Sequence, residues 1–260
     1  MEFVFGLVRR LLGPAPFLEL LTQTGTFAGA ISGIRLASAK RFDWFGAYVI
    51  GFVTAVGGGT LRDTMLLKQP CWLESPSYLV TTFVALVAVA LFGRRFISEQ
   101  ITWYVFDTIS ISVFMVLGIE KTIVFYAAKA QAAGLAFAAT DCWWQAVVMG
   151  VLTAAFGGVL RDICINEVPL IFRKELYALA CAAGGVIYFG LVALGVDVRV
   201  AGVTCIAAIF VIRALAIKYH LGVPVLTGRR AKMLHHHHNR AAARRPGAVE
   251  RAGESRKENT

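Results

Sequence analysis

The sequence predicts an all-α membrane protein: seven transmembrane helices, arranged as two inverted three-helix repeats plus a seventh helix. Composition is the first observation behind this. Of 260 residues, 57% are hydrophobic and only 16% are charged, and the mean hydropathy is +0.66. A soluble domain carries about 25% charge and about 45–50% apolar residues. The second observation is the run length of the apolar stretches, several of which reach the roughly 20 residues needed to cross a hydrocarbon core of about 30 Å. The third is an internal duplication.

Taken in order, residues 1–16 form a short lead with Arg9 and Arg10, closed by Gly13-Pro14-Ala15-Pro16. Spans are expected near 17–37, 44–58, 77–93, 103–123, 142–158, 175–196 and 199–219. The apolar, Ala-rich stretch Thr122–Thr140 either extends the fourth span or lies in the interface. These spans group into a first repeat at 17–101, a second at 102–197, a seventh helix at 198–220 and a basic tail at 221–260. The spans are rich in small residues, as in Thr24-Gly25-Thr26-Phe27-Ala28-Gly29 and Ala182-Ala183-Gly184-Gly185. Small residues let helix backbones approach where lipid supplies no hydrophobic drive, so a compact bundle is expected.

The net charge of +10 is concentrated in the tail, where nine Lys/Arg against three Glu leave +6 in residues 221–260. A basic segment beside a span fits a cytoplasmic, anionic-lipid-facing position better than nucleic acid. The loops themselves divide seven Lys/Arg to seven, so the tail and Lys218 decide the expected inside C-terminus. His235–His238 lie in a low-complexity tract without a defined coordination shell, and the five cysteines show no metal-ligand spacing. No metal and no cofactor are expected.

A shift of 99 residues superposes Gly51–Pro70 on Gly150–Pro169. Nine of these 20 positions are identical, among them Thr54/Thr153, Gly58/Gly157, Gly59/Gly158, Arg62/Arg161 and Asp63/Asp162. With three spans per unit, the second copy enters the membrane from the opposite side, the inverted arrangement that places transport sites between two halves. Gly57-Gly58-Gly59 within an apolar span is costly to a helix, roughly 1 kcal/mol per Gly against Ala. The sequence is therefore read as a broken helix whose freed carbonyls line water; close helix packing is the competing reading.

Arg62-Asp63 and Arg161-Asp162 follow the glycines. Adjacent residues on a helix do not face each other, so each Arg is expected to meet something other than its neighbour. Charges within spans face a cavity or a partner unless they lie at the interface. Asp107, Glu120 and Lys121 in the fourth span and Glu19 in the first are further candidates. Asp107 is expected to face the interior and Arg213 to snorkel. Gly57–Asp63 lacks the Gly-Lys-Ser/Thr ending of a phosphate loop, and no nucleophile–base set appears. An enzyme is not expected.

Ile31-Ser32-Gly33, Lys40-Arg41-Phe42-Asp43-Trp44-Phe45-Gly46, Gly57-Gly58-Gly59-Thr60-Leu61-Arg62-Asp63 and Gly157-Gly158-Val159-Leu160-Arg161-Asp162 with Asn166-Glu167-Val168-Pro169-Leu170 resemble the bacterial branch of the trimeric intracellular cation channel family, whose domain also carries a glycine-transporter label. The resemblance covers residues 17–220. It implies a homotrimer in the bacterial inner membrane, with one path per subunit for monovalent cations such as potassium. It also implies that the glycine bends of spans two and five flank that path; with the residue reading above, the expected pathway residues are Thr54, Gly57, Gly58, Gly59, Arg62, Asp63, Thr153, Gly157, Gly158, Arg161 and Asp162, with Asp107 and Lys121 as gating or pathway charges. Phe156 stands where a third glycine is often found, and Thr22 where a first-span Asp is expected. The alternative is a carrier for a small zwitterion such as glycine, held by Arg62 and Arg161.

Overall fold

The computed structural model describes residues 14–222 except 99, 173–175 and 220, with side chains described from 17 onward apart from 93–102, 173–175 and 220. The lead, the tail and His235–His238 lie outside these residues. Among the described residues the chain is all-helical, with α1 Pro14–Ala39, α2 Trp44–Met65, the short α3 Cys71–Glu74, α4 Ser77–Ser98, α5 Gln100–Ala132, α6 Trp143–Cys164, α7 Ala178–Ala193 and α8 Val198–Lys218. Short 3-10 turns sit at Ala139–Cys142 and Leu170–Phe172. The stretches 44–65, 103–132, 139–164 and 198–218 are long and apolar enough to cross a membrane; 77–92 and 178–193 are apolar but shorter. Thr122 begins no new element: α5 runs on to Ala132 and ends before Gly134, whose φ is +67°.

Two clusters fill the interior. One gathers Ala30, Ile31, Ile34, Ile50, Ala55 and Ala85 from α1, α2 and α4. The other gathers Met115, Val116, Ile119, Ala146, Tyr188 and Ile209 from α5 to α8. Apolar side chains also lie on the outside, including Val80, Phe83, Val84 and Leu91 on α4.

Helices α2 and α6 meet where their glycines remove the side chains. A Cβ on Gly58 would strike the Thr153 carbonyl oxygen, and one on Gly157 the Thr54 carbonyl oxygen. The same logic joins each to a neighbour. Gly33 of α1 lies against Ile50 and Gly51 of α2, and Gly118 of α5 against Met149 and Gly150 of α6. The broken-helix expectation is corrected here: α2 and α6 are continuous through both glycine runs. The glycines serve the backbone contact, and the helical hydrogen bonds survive because removing Cβ atoms leaves the main chain unaltered.

Both helices end in the same terminator. Lys68 N–H donates to Asp63 O (2.8 Å) and Leu67 N–H to Thr64 O (3.1 Å); 99 residues on, Glu167 N–H donates to Asp162 O (2.8 Å) and Asn166 N–H to Ile163 O (3.0 Å). This paired bonding closes a helix through one left-handed residue, here Leu67 (φ 54°) and Asn166 (φ 57°). Asn tolerates that conformation; Leu carries a strain of about 1–2 kcal/mol. Leu67 is exposed, so Leu67→Asn is expected to raise stability by about 1 kcal/mol. An unchanged unfolding midpoint in detergent would contradict it.

Candidate functional site

Thr54 and Thr153 occupy matching places at the glycine crossing. Each hydroxyl donates to the carbonyl four residues back, Ile50 and Met149, at 2.6 Å, which leaves both hydroxyls satisfied within their own helices. Gly57, Gly58, Gly157 and Gly158 are buried and Gly59 is half-buried, as is Phe156.

At the ends of α2 and α6 the charges pair in a way the sequence reading did not anticipate. Arg62 Nε donates to Asp63 Oδ1 at 2.8 Å, and Arg161 Nε donates to Asp162 Oδ1 at 2.9 Å. Each Arg thus does meet its adjacent Asp, because a long guanidinium stem can curl round the last helical turn to a carboxylate that a shorter side chain could not reach. The other carboxylate oxygen fastens the following loop: Asp63 Oδ2 accepts from Cys71 N–H and Asp162 Oδ2 from Leu170 N–H, both at 3.0 Å. All four side chains are buried. Outside the spans, burial pushes the Cys71 thiol up from its ordinary value.

The two ends then diverge. Arg161 Nη1 also donates to Asp107 Oδ1 and to Ser32 Oγ, both at 2.8 Å. Arg213 Nη1 donates to Asp107 Oδ2 at 2.8 Å and its guanidinium lies 4.7 Å from the Tyr177 ring centre. This cluster joins α1, α5, α6 and α8 and balances two arginines with Asp107 and Asp162. Arg161 is fully buried, with the Trp103 ring 5.7 Å from its guanidinium carbon. Among the described residues its Nη2 and the Trp103 indole nitrogen find no partner.

Arg213 is therefore corrected from snorkelling to burial, since a carboxylate on α5 holds it inside. Asp107 faces the interior as expected, 3% exposed. Lys121, by contrast, is exposed and is not brought to the cluster. Thr22 donates to Leu18 O at 2.7 Å. Sequence reasoning missed Ser32, Trp103 and Tyr177. Only Ser32 had a signal, its place beside Gly33 in a quoted motif.

The glycine-transporter family profile matches residues 19–94 and 104–193. The crystal structure of a trimeric intracellular cation channel orthologue from Rhodobacter sphaeroides is 32% identical, covers 79% of this chain and 99% of its own, and superposes with a TM-score of 0.67. The chain belongs to the trimeric intracellular cation channel family. Its likeness extends to the Escherichia coli inner membrane protein YadS, 36% identical over 78% of this chain and 93% of YadS. A Vibrio cholerae membrane protein is 33% identical over 80% of this chain and 82% of its own length. Family membership makes this a membrane protein and places it outside the enzymes.

Proposed function

We propose that the chain is a channel for monovalent cations such as potassium, assembled as a homotrimer with one path in each subunit. The observation that carries this reading is the likeness to the Rhodobacter sphaeroides cation channel over nearly the whole of that chain. The proposed path runs beside the α2–α6 crossing. It is flanked by Thr54, Gly57, Gly58, Gly59, Thr153, Gly157 and Gly158, where missing Cβ atoms let the two backbones pack against each other. Arg62-Asp63 and Arg161-Asp162 stand at its two ends, with Asp107 and Lys121 as gating or pathway charges.

The same reading takes the chain as seven spans in two inverted repeats plus α8. Contacts that swap partners support it. Gly58 against Thr153 becomes, on shifting each residue to its equivalent, Gly157 against Thr54. Matching Gly33 to Gly118 pairs α1 with α5 at a shift of 85, and Gly25 against Phe114 then becomes Ser110 against Gly29. A two-fold axis lying in the membrane plane makes such exchanges. Exposed aromatics begin both helices, Trp44 and Phe45 on α2 and Trp143 and Trp144 on α6, as two interfacial belts require. The repeats span 17–101 and 102–197, with the seventh helix at 198–220. The C-terminus is cytoplasmic in the bacterial inner membrane, and its basic tail meets anionic headgroups.

The zwitterion carrier is not favoured, because the Nε and Nη1 of Arg161 are occupied by carboxylates and Ser32, and Arg62 is paired with Asp63. Vesicles containing the folded protein should dissipate a potassium gradient, and replacing the anion should leave the rate unchanged. Absent potassium flux, or saturable uptake of labelled glycine, would overturn the assignment.

A further inference from the structure

A groove of about 190 Å³ opens where α1, α2 and α4 converge at the α1–α2 turn, walled by Ile34, Ala47, Leu86 and Val89. Its lining is mainly aliphatic. Trp44 lies on its edge and is 68% exposed, beside the exposed Phe42 and Phe45. Exposed aromatics at the first turn of a spanning helix mark the boundary between hydrocarbon and headgroups, so the groove opens at the depth where acyl chains begin.

Directly beside it, the turn is built to present a cation. Arg41 has φ 62°, and three backbone bonds hold the bend: Lys40 N–H to Leu36 O (3.2 Å), Arg41 N–H to Ser38 O (3.0 Å) and Phe42 N–H to Ala37 O (3.1 Å). Lys40 is committed to Glu167, while Arg41 is exposed and forms no ion pair among the described residues. The Asp43 carboxylate lines the mouth of the groove and caps α2, its Oδ1 accepting from Gly46 N–H at 2.7 Å. The slot lies at chain depth and the turn that carries Arg41 at headgroup depth, where Arg41 is the cation without an ion pair among the described residues of that turn.

We propose that this groove is a binding site for an anionic phospholipid, its acyl chain between α1, α2 and α4 and its phosphate on Arg41. The site is separate from the α2–α6 crossing, and its occupancy does not depend on conduction.

The test uses full-length protein in vesicles of phosphatidylcholine containing a minor fraction of chain-brominated lipid, whose bromines quench nearby tryptophan. The Trp44 signal is the difference between wild type and Trp44→Phe. Brominated phosphatidylglycerol should quench it with about fivefold higher apparent affinity than brominated phosphatidylcholine, the preference one surface Arg confers. Arg41→Gln should bring the two lipids to parity. Ala90→Phe, an exposed position on the groove wall, should weaken quenching by both while leaving the oligomer intact on gel filtration. Equal quenching in wild type, or a preference that survives Arg41→Gln, would overturn the site. So would absence of quenching by either lipid, the result expected if a second copy of the chain covers the groove.

Discussion

Gly58→Ala and Gly157→Ala are each expected to destabilise the protein by about 3 kcal/mol or more, at the upper end of overpacking costs. The new methyl group would meet a main-chain carbonyl, Thr153 or Thr54, which cannot rotate away as a side chain would. Either helix must shift, and each is already held by a second close contact, Gly51 of α2 to α1 and Gly150 of α6 to α5. Gly59→Ala provides the control. A Cβ there meets nothing closer than Cys71 Sγ at 3.4 Å, so the change should be neutral or stabilising by about 0.5–1 kcal/mol through helix propensity. Unfolding midpoints in detergent and yield of folded oligomer measure all three. Equal effects at Gly58 and Gly59 would show that the backbone contact is not what these glycines provide.

Asp107→Leu is expected to cost about 3–5 kcal/mol, the penalty for leaving a buried ion pair without one partner. Both Arg161 and Arg213 would lose their shared carboxylate. Arg161 would keep Asp162, whereas no ion pair would remain to Arg213 among the described residues. The second substitution Arg213→Leu should then restore much of the loss, because it removes the orphaned charge and fills the space with apolar atoms. A double-mutant cycle checks this. If the double variant is less stable than Asp107→Leu alone, Arg213 is held by something other than Asp107. Asp63→Leu at the opposite end should lack such rescue by any α8 residue.

The helical class and the matched ends of α2 and α6 were legible because they follow from composition and from a repeat at one fixed shift. Local chemistry copied with the sequence: Arg-Asp in both copies gives the same pairing and the same loop anchor eight residues on. What the sequence could not convey was which partner a glycine serves. A run of three glycines weakens a helix and also admits a neighbour, and the decision rests on whether another backbone is present at that level. Arg213 was misread for a related reason. A charge near a span's end reaches water by default, and only the placement of Asp107 on α5 keeps it inside. Trp103 and Tyr177 left no trace, since an aromatic residue beside a guanidinium looks no different in sequence from one facing lipid.

The cluster centred on Asp107 has a bearing on biosynthesis. Its two arginines follow it in the chain by 54 and 106 residues, so the acidic side chain is synthesised well before either counter-charge. Charge neutrality there is completed only when the last spanning helix emerges. Until then Asp107 has to be hydrated, protonated or otherwise housed, because neither of its two arginine partners is yet in place.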